Sequence, residues 1–229
     1  MRGLIFDKDG TLFDFARSWG QWAARVLTGL ADGDHSRAIA LGDLIGYDLV
    51  AGRFDPASPV IAGTAGQIAA LLRPALPGWD QASLVARLNA EAARCDMAPA
   101  VSLVPLMARL RARGLRIGLM TNDSEVPARA HLAAAGIVAD FDPILGADSG
   151  HGAKPSAAPL LECARQWGLE PARIAMVGDS LHDLAAGRAA GMVTVGVLTG
   201  MAGADELAPM ADVVLADIGG IEGWLDSRS

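Results

Sequence analysis

Cysteine is scarce: the 229 residues hold only Cys95 and Cys163. Both fall in helix-like runs, with no metal-ligand spacing and no disulfide framework, so a reducing compartment is expected. Basic residues are also short. The 19 Lys and Arg stand against 26 Asp and Glu, a formal charge of -7. The lack of a basic stripe to follow a phosphate backbone argues against general nucleic-acid binding. No apolar run is long and clean enough to span a bilayer. Two acids follow the first short apolar run directly, which is wrong for a signal peptide. No membrane partner and a cytoplasmic location are the resulting expectations. What is plentiful is apolar side chain, 52% of the total against 20% charged. That composition builds a packed core rather than a disordered tail. Oligomeric state is left at monomer or homodimer.

Leu4-Ile5-Phe6 is too short for a helix and reads as a buried strand. From 15 to 97 the pattern is helical throughout. Trp19, Trp22, Ala23, Val26, Leu27 and Leu30 recur at three- and four-residue steps, one face of a helix. Leu41, Leu44, Ile45 and Leu49 repeat it. Residues 52–63 read as a loop from their Gly and Pro content. Thr64 with Gln67 has the form of a capping box, and Asp80 opens a further helix. From 101 onward strands and helices alternate, with strands at 115–120, 143–146, 174–177, 192–198 and 213–215. Helices fall at 103–113, 125–135, after Ser156, and at 181–190. Alternation of this kind implies a parallel sheet covered on both faces. A lone strand cannot bury itself, so the strand at 4–7 joins the same sheet. The expected fold is α/β: a Rossmann-like parallel sheet core from residues 1–14 and 98–229, with an all-helical cap domain inserted at 15–97.

Four polar sites share one place in the alternation, at or just after strand C-termini. They are Asp7 with Asp9, Thr121 with Asn122, Lys154, and Asp179 with Asp183. Ligands sit at that edge of open parallel sheets. Converging carboxylates repel unless a cation separates them, and an oxygen-only donor set suits Mg²⁺. Lys154 supplies a point charge for phosphate or for holding a carboxylate ionised. Thr11 and Thr121 offer hydroxyl and backbone donors to phosphate oxygens. Such a set suits phosphoryl transfer, in which an aspartate can be the covalent partner and a neighbouring acid can move the proton. Arg53, in the Gly/Pro-rich loop, is an additional site for clamping an anionic substrate tail. Trp19 and Trp22 read as core, His182 as a supporting or surface residue, and Lys8 as a residue without an assigned contact.

"DKDGTL" (7–12), "LMTN" (119–122), "KP" (154–155) and "VGDSLHD" (177–183) resemble, in order, the four motifs of the haloacid dehalogenase-like hydrolase superfamily. The helical insertion resembles the cap of its phosphoglycolate phosphatase-like branch. The resemblance implies that Asp7 is the nucleophile and a Mg²⁺ ligand. It implies that Asp9 is the general acid/base and ligates through its carbonyl. It gives Thr121 and Asn122 the phosphoryl group, Lys154 the charge on nucleophile and phosphate, and Asp179 and Asp183 the metal. The second acid argues against dehalogenation. A small phosphate ester, such as phosphoglycolate or a sugar phosphate, is the expected substrate. The alternatives are a phosphomutase and, from another class, a phosphoacceptor signalling domain.

Overall fold

The structure is a computed structural model and describes residues 1–228. Gly3–Phe6 forms the first strand, β1. Its four residues are fully buried because both sheet faces are covered. Leu4 and Phe6 point into one apolar cluster and Ile5 into another, the period-two alternation of a strand.

The chain then leaves the sheet for α1 (Phe15–Leu30) and α2 (His35–Leu44). Asp14 caps the first, its carboxylate accepting from the Arg17 N–H. Residues 52–63 are not wholly loop: β2 (Tyr47–Asp48) and β3 (Arg53–Phe54) form a short antiparallel pair. Two residues per strand leave too little pattern for a sequence reading to find. Next come α3 (Ala65–Leu72), opened by the expected Thr64–Gln67 capping box, and α4 (Gln81–Ala92), capped by Asp80. Residues 15–95 pack into an apolar cluster of their own, centred on Trp19, Trp22, Leu27, Leu72 and Leu84.

The alternating half follows the expected order. Its members are α5 (Leu103–Ala112), β4 (Arg116–Met120), α6 (Glu125–Ala134) and β5 (Ile144–Leu145). Then come α7 (Ala158–Trp167), β6 (Ile174–Gly178), α8 (Leu181–Ala189) and β7 (Val193–Val197). Ser156 is not the N-cap of α7; Ala157 is, and the helix starts at Ala158. Short helices α9 (Ala204–Leu207) and α10 (Ile221–Asp226) flank β8 (Val213–Leu215).

The sheet has six strands in the order β5-β4-β1-β6-β7-β8, with every pairing parallel. β1 lies between β4 and β6, so the strand order reverses at its C-terminal end. A crevice forms at such a point.

Candidate active site

Asp7 follows β1 directly. Its backbone N–H donates to Val177 O at 2.8 Å, so the carboxylate stands on the last hydrogen-bonded position of the central strand. The chain turns at once. The Leu12 and Phe13 N–H groups donate to the Lys8 carbonyl, and the Gly10 N–H donates to Phe13 O at 2.6 Å. Gly10 has φ +85°, a conformation that suits glycine. A Cβ there would overlap the Asp179 carboxylate, and so would one at Gly200. Asp179 therefore reaches Asp7 only because two glycines make room for it.

Lys154 joins the motifs. Its Nζ lies 2.5 Å from Asp7 Oδ1 and 2.6 Å from Asp183 Oδ1, and donates to Met120 O at 2.9 Å. Asn122 holds the backbone of Lys154 from both sides. Its amide accepts from Lys154 N–H at 2.9 Å and donates to Lys154 O at 3.0 Å. The same amide donates to Ala62 O at 2.8 Å, linking the sheet edge to the insertion. Asp183 is fixed by helix capping. Ser180 caps α8, and Asp183 Oδ2 accepts from the Ser180 N–H and hydroxyl at 3.0 and 2.7 Å.

All the residues selected from the sequence, except Thr11 and Arg53, line one cavity of about 70 Å³ between the sheet edge and the insertion. Thr11 is fully buried, and its hydroxyl donates to Asp179 Oδ1 at 3.3 Å, steadying that carboxylate. Arg53 is exposed on β3 and lines a different groove, beside Phe15 and Tyr47. Arg53 therefore does not border the cavity that the other residues share. Trp19 and Trp22, read as plain core, line the cavity as well as packing in it. His182 lines it from an exposed position.

At this site acids outnumber positive charge. Asp7, Asp179 and Asp183 are buried, with ligand oxygens within 4.8 Å of one another. Burial pushes the Asp7 carboxyl up to about 7, against the pull of Lys154 and with the help of Asp183. Burial and then Asp183 and Asp7 push Asp179 well above the usual carboxylate range. Burial works against the Lys154 ammonium, but Asp183 and Asp7 outweigh it and raise its pKa. One ammonium cannot compensate three buried carboxylates. An all-oxygen set short of positive charge fits a hard dication such as Mg²⁺.

A second ion cluster lies beside the first. Lys8 is fully buried, its Nζ 2.6 Å from Asp9 Oδ1 and 3.3 Å from Asp123 Oδ2. It also sits 5.1 Å from the centre of the Trp19 ring. The Trp19 indole N–H donates to Asp9 Oδ1 at 2.8 Å. Burial pushes Asp123 up to about 6, with Lys8 opposing and Asp9 adding. His131 Nε2 is 2.8 Å from Ala92 O, and its ring stands edge-on to Trp19 at 6.0 Å. Lys8, Asp123 and His131 had no assigned contact in the sequence reading. A lysine between two acids of a strand-end motif was the one available signal.

The profile of the haloacid dehalogenase-like hydrolase family matches residues 1–191. The chain belongs to the haloacid dehalogenase-like hydrolase family. Among curated members, a phosphoglycolate phosphatase of Chromobacterium violaceum is 46% identical over 72 residues, covering 31% of this chain and 32% of that protein. A probable phosphatase, IndB, of Dickeya dadantii is 37% identical over 83 residues, 36% of each chain. The chain spans about a third of the length of the curated relatives it matches. Solved structures share the fold over nearly full length. A predicted phosphoglycolate phosphatase from Haemophilus somnus 129PT superposes with TM-score 0.73 at 20% identity, covering 98% of both chains. A HAD family hydrolase from Deinococcus radiodurans R1, with bound phosphate and sodium, gives 0.66 at 22%, covering 99% of this chain and 96% of that one. Among the described residues, no helix of this family member is long and apolar enough to cross a membrane.

Proposed function

We propose that the protein is a Mg²⁺-dependent phosphatase that hydrolyses a small phosphorylated metabolite through a phospho-Asp7 intermediate. The observation that carries this is Asp7 itself. It stands on the central strand end, 2.5 Å from Lys154 and grouped with Asp179 and Asp183 around a space suited to a dication. Family membership supports the same reading.

In the first half-reaction an Asp7 carboxylate oxygen attacks phosphorus. The bond from phosphorus to the ester oxygen breaks, and the leaving alkoxide takes a proton from Asp9. In the second, Asp9 accepts a proton from water as that water attacks phosphorus. The acyl-phosphate bond breaks, releasing phosphate and returning Asp7. Lys154 balances charge on the Asp7 carboxylate. Thr121 and Asn122, at the β4 end, are positioned beside the transferring group. Asp7, Asp179, Asp183 and the Asp9 carbonyl would hold the dication, which would supply neutralisation of phosphoryl charge. Residues 15–97 act as a cap on the core of 1–14 and 98–229, and their apolar residues exclude water from the acyl phosphate.

Phosphate release from a panel of small phosphate monoesters, with and without Mg²⁺, tests the reading. Turnover that needs Mg²⁺ and disappears in Asp7→Asn is expected. Undiminished turnover by Asp7→Asn overturns it.

A further inference from the structure

The cavity has two halves of opposite character. The sheet edge contributes five aspartates, 7, 9, 123, 179 and 183, with Lys154 and, at an exposed position, His182. The insertion contributes Phe15, Trp22, Ile61, Ile68 and Leu88 among others, and a single amide, Asn89. Among the described residues, no Asp, Glu, Lys, Arg or His of 15–97 lines it. The basic side chains of the insertion serve elsewhere: Arg53 borders a separate groove, and Arg87 pairs with Glu91 at 3.1 Å. Both lysines near the cavity are committed, Lys154 to Asp7 and Asp183, and Lys8 to Asp9 and Asp123.

Two polar atoms on this apolar half lack partners. Trp22 Nε1 and Asn89 Oδ1 are buried without a hydrogen bond, although both residues line the cavity. Buried donors and acceptors are nearly always paired, and leaving one unpaired costs about 1–3 kcal/mol. A hydroxyl satisfies both kinds at once, accepting from an indole N–H and donating to an amide oxygen. The volume of about 70 Å³ compares with roughly 10–15 Å³ for one water. A larger groove shares the cavity's Lys154, Asp179, Ser180 and His182 edge.

Building on the phosphatase reading, we propose that the leaving group is an uncharged alcohol with a further hydroxyl, contacted by Trp22 and Asn89, and that esters of carboxylate-bearing alcohols are rejected. A carboxylate in this half would be desolvated against apolar side chains, with both nearby lysines already paired. The substrate named for several curated relatives, phosphoglycolate, bears such a carboxylate. The selectivity of this chain therefore departs from theirs.

Three two-carbon esters test this on the wild-type enzyme with Mg²⁺: 2-hydroxyethyl phosphate, ethyl phosphate and phosphoglycolate. The expected kcat/KM order is hydroxyethyl, then ethyl, then phosphoglycolate, with the first and last about 100-fold or more apart. Asn89→Leu and Trp22→Phe should each lower hydroxyethyl phosphate turnover about 10-fold or more. Ethyl phosphate turnover should stay within about threefold, which also reports that each variant folds. Phosphoglycolate turned over as well as or better than hydroxyethyl phosphate overturns the proposal. Equal losses on both neutral esters in the variants remove the hydroxyl contact. Turnover of none of the three by enzyme that hydrolyses other phosphate monoesters overturns the proposal, whereas folded enzyme that hydrolyses no monoester at all defeats the phosphatase reading itself.

Discussion

Trp19 donates its indole N–H to Asp9 Oδ1 at 2.8 Å, from the first helix of the insertion to the first loop of the sheet. Lys8 meets the same oxygen. Asp9 Oδ2 remains to carry the proton in the proposed acid/base role. Trp19→Phe keeps the ring and removes this donor. The expected result is a kcat lowered about 10-fold with KM little changed, because the lost bond positions the acid rather than the phosphate. Steady-state kinetics over a pH series checks it. A KM effect alone would place Trp19 in substrate binding.

Lys8 separates Asp9 from Asp123 inside the protein. Lys8→Met leaves two acids facing each other and should cost about 3–5 kcal/mol in urea unfolding. Adding Asp123→Asn should recover part of that loss, since the second change removes one of the stranded charges. If the double mutant is no more stable than the single, the Lys8–Asp123 pair contributes nothing to folding.

His131 gives a pH dependence of definite sign. Burial first, then the nearby Lys8 charge, push its pKa down to about 4, from 6.5. The folded state thus binds a proton less readily than the unfolded chain. Its contribution to stability is complete above 6.5 and declines as pH falls toward 4, by roughly 3 kcal/mol in all. Subtracting the unfolding curve of His131→Gln from that of wild type isolates the effect from the buried acids. Those acids, with raised pKa values, act in the opposite direction. A flat difference curve between pH 7 and pH 4 would contradict the assignment.

Asp179 faces Asp7 and Asp183 with a threonine hydroxyl as its partner. Mg²⁺ at a hundredfold excess over Kd should stabilise the wild type by about 2.7 kcal/mol. In Asp179→Asn that gain should shrink, while the metal-free variant should melt above metal-free wild type because an acid whose ionisation burial and its neighbours oppose is gone. Thermal melts in EDTA and in Mg²⁺ check both signs together.

The strand-end acids were legible because motif and alternation agree. Asp7, Asp9, Asp179 and Asp183 each follow or flank a short apolar run, and the parallel sheet brings those ends together. The β2–β3 pair was not legible, since two-residue strands have no period. The groove that Arg53 borders was hidden for the same reason: it lies on that short pair, which loop composition does not reveal. Trp22 and Asn89 were hidden differently. An apolar stripe looks the same whether it packs on a core or borders a cavity, and only tertiary contact separates the two. The roles of Gly10 and Gly200 against Asp179 likewise depend on chains meeting across the sheet edge.

The proposed reaction turns on one bond, from phosphorus to the Asp7 carboxylate. The most direct measurement is acid quenching during turnover, borohydride reduction of the acyl phosphate, and peptide mass spectrometry. Homoserine at position 7 is the predicted result, formed in the presence of Mg²⁺ and substrate and missing when either is withheld. An unmodified Asp7 in enzyme quenched during steady turnover, or a label on another residue, would contradict the account.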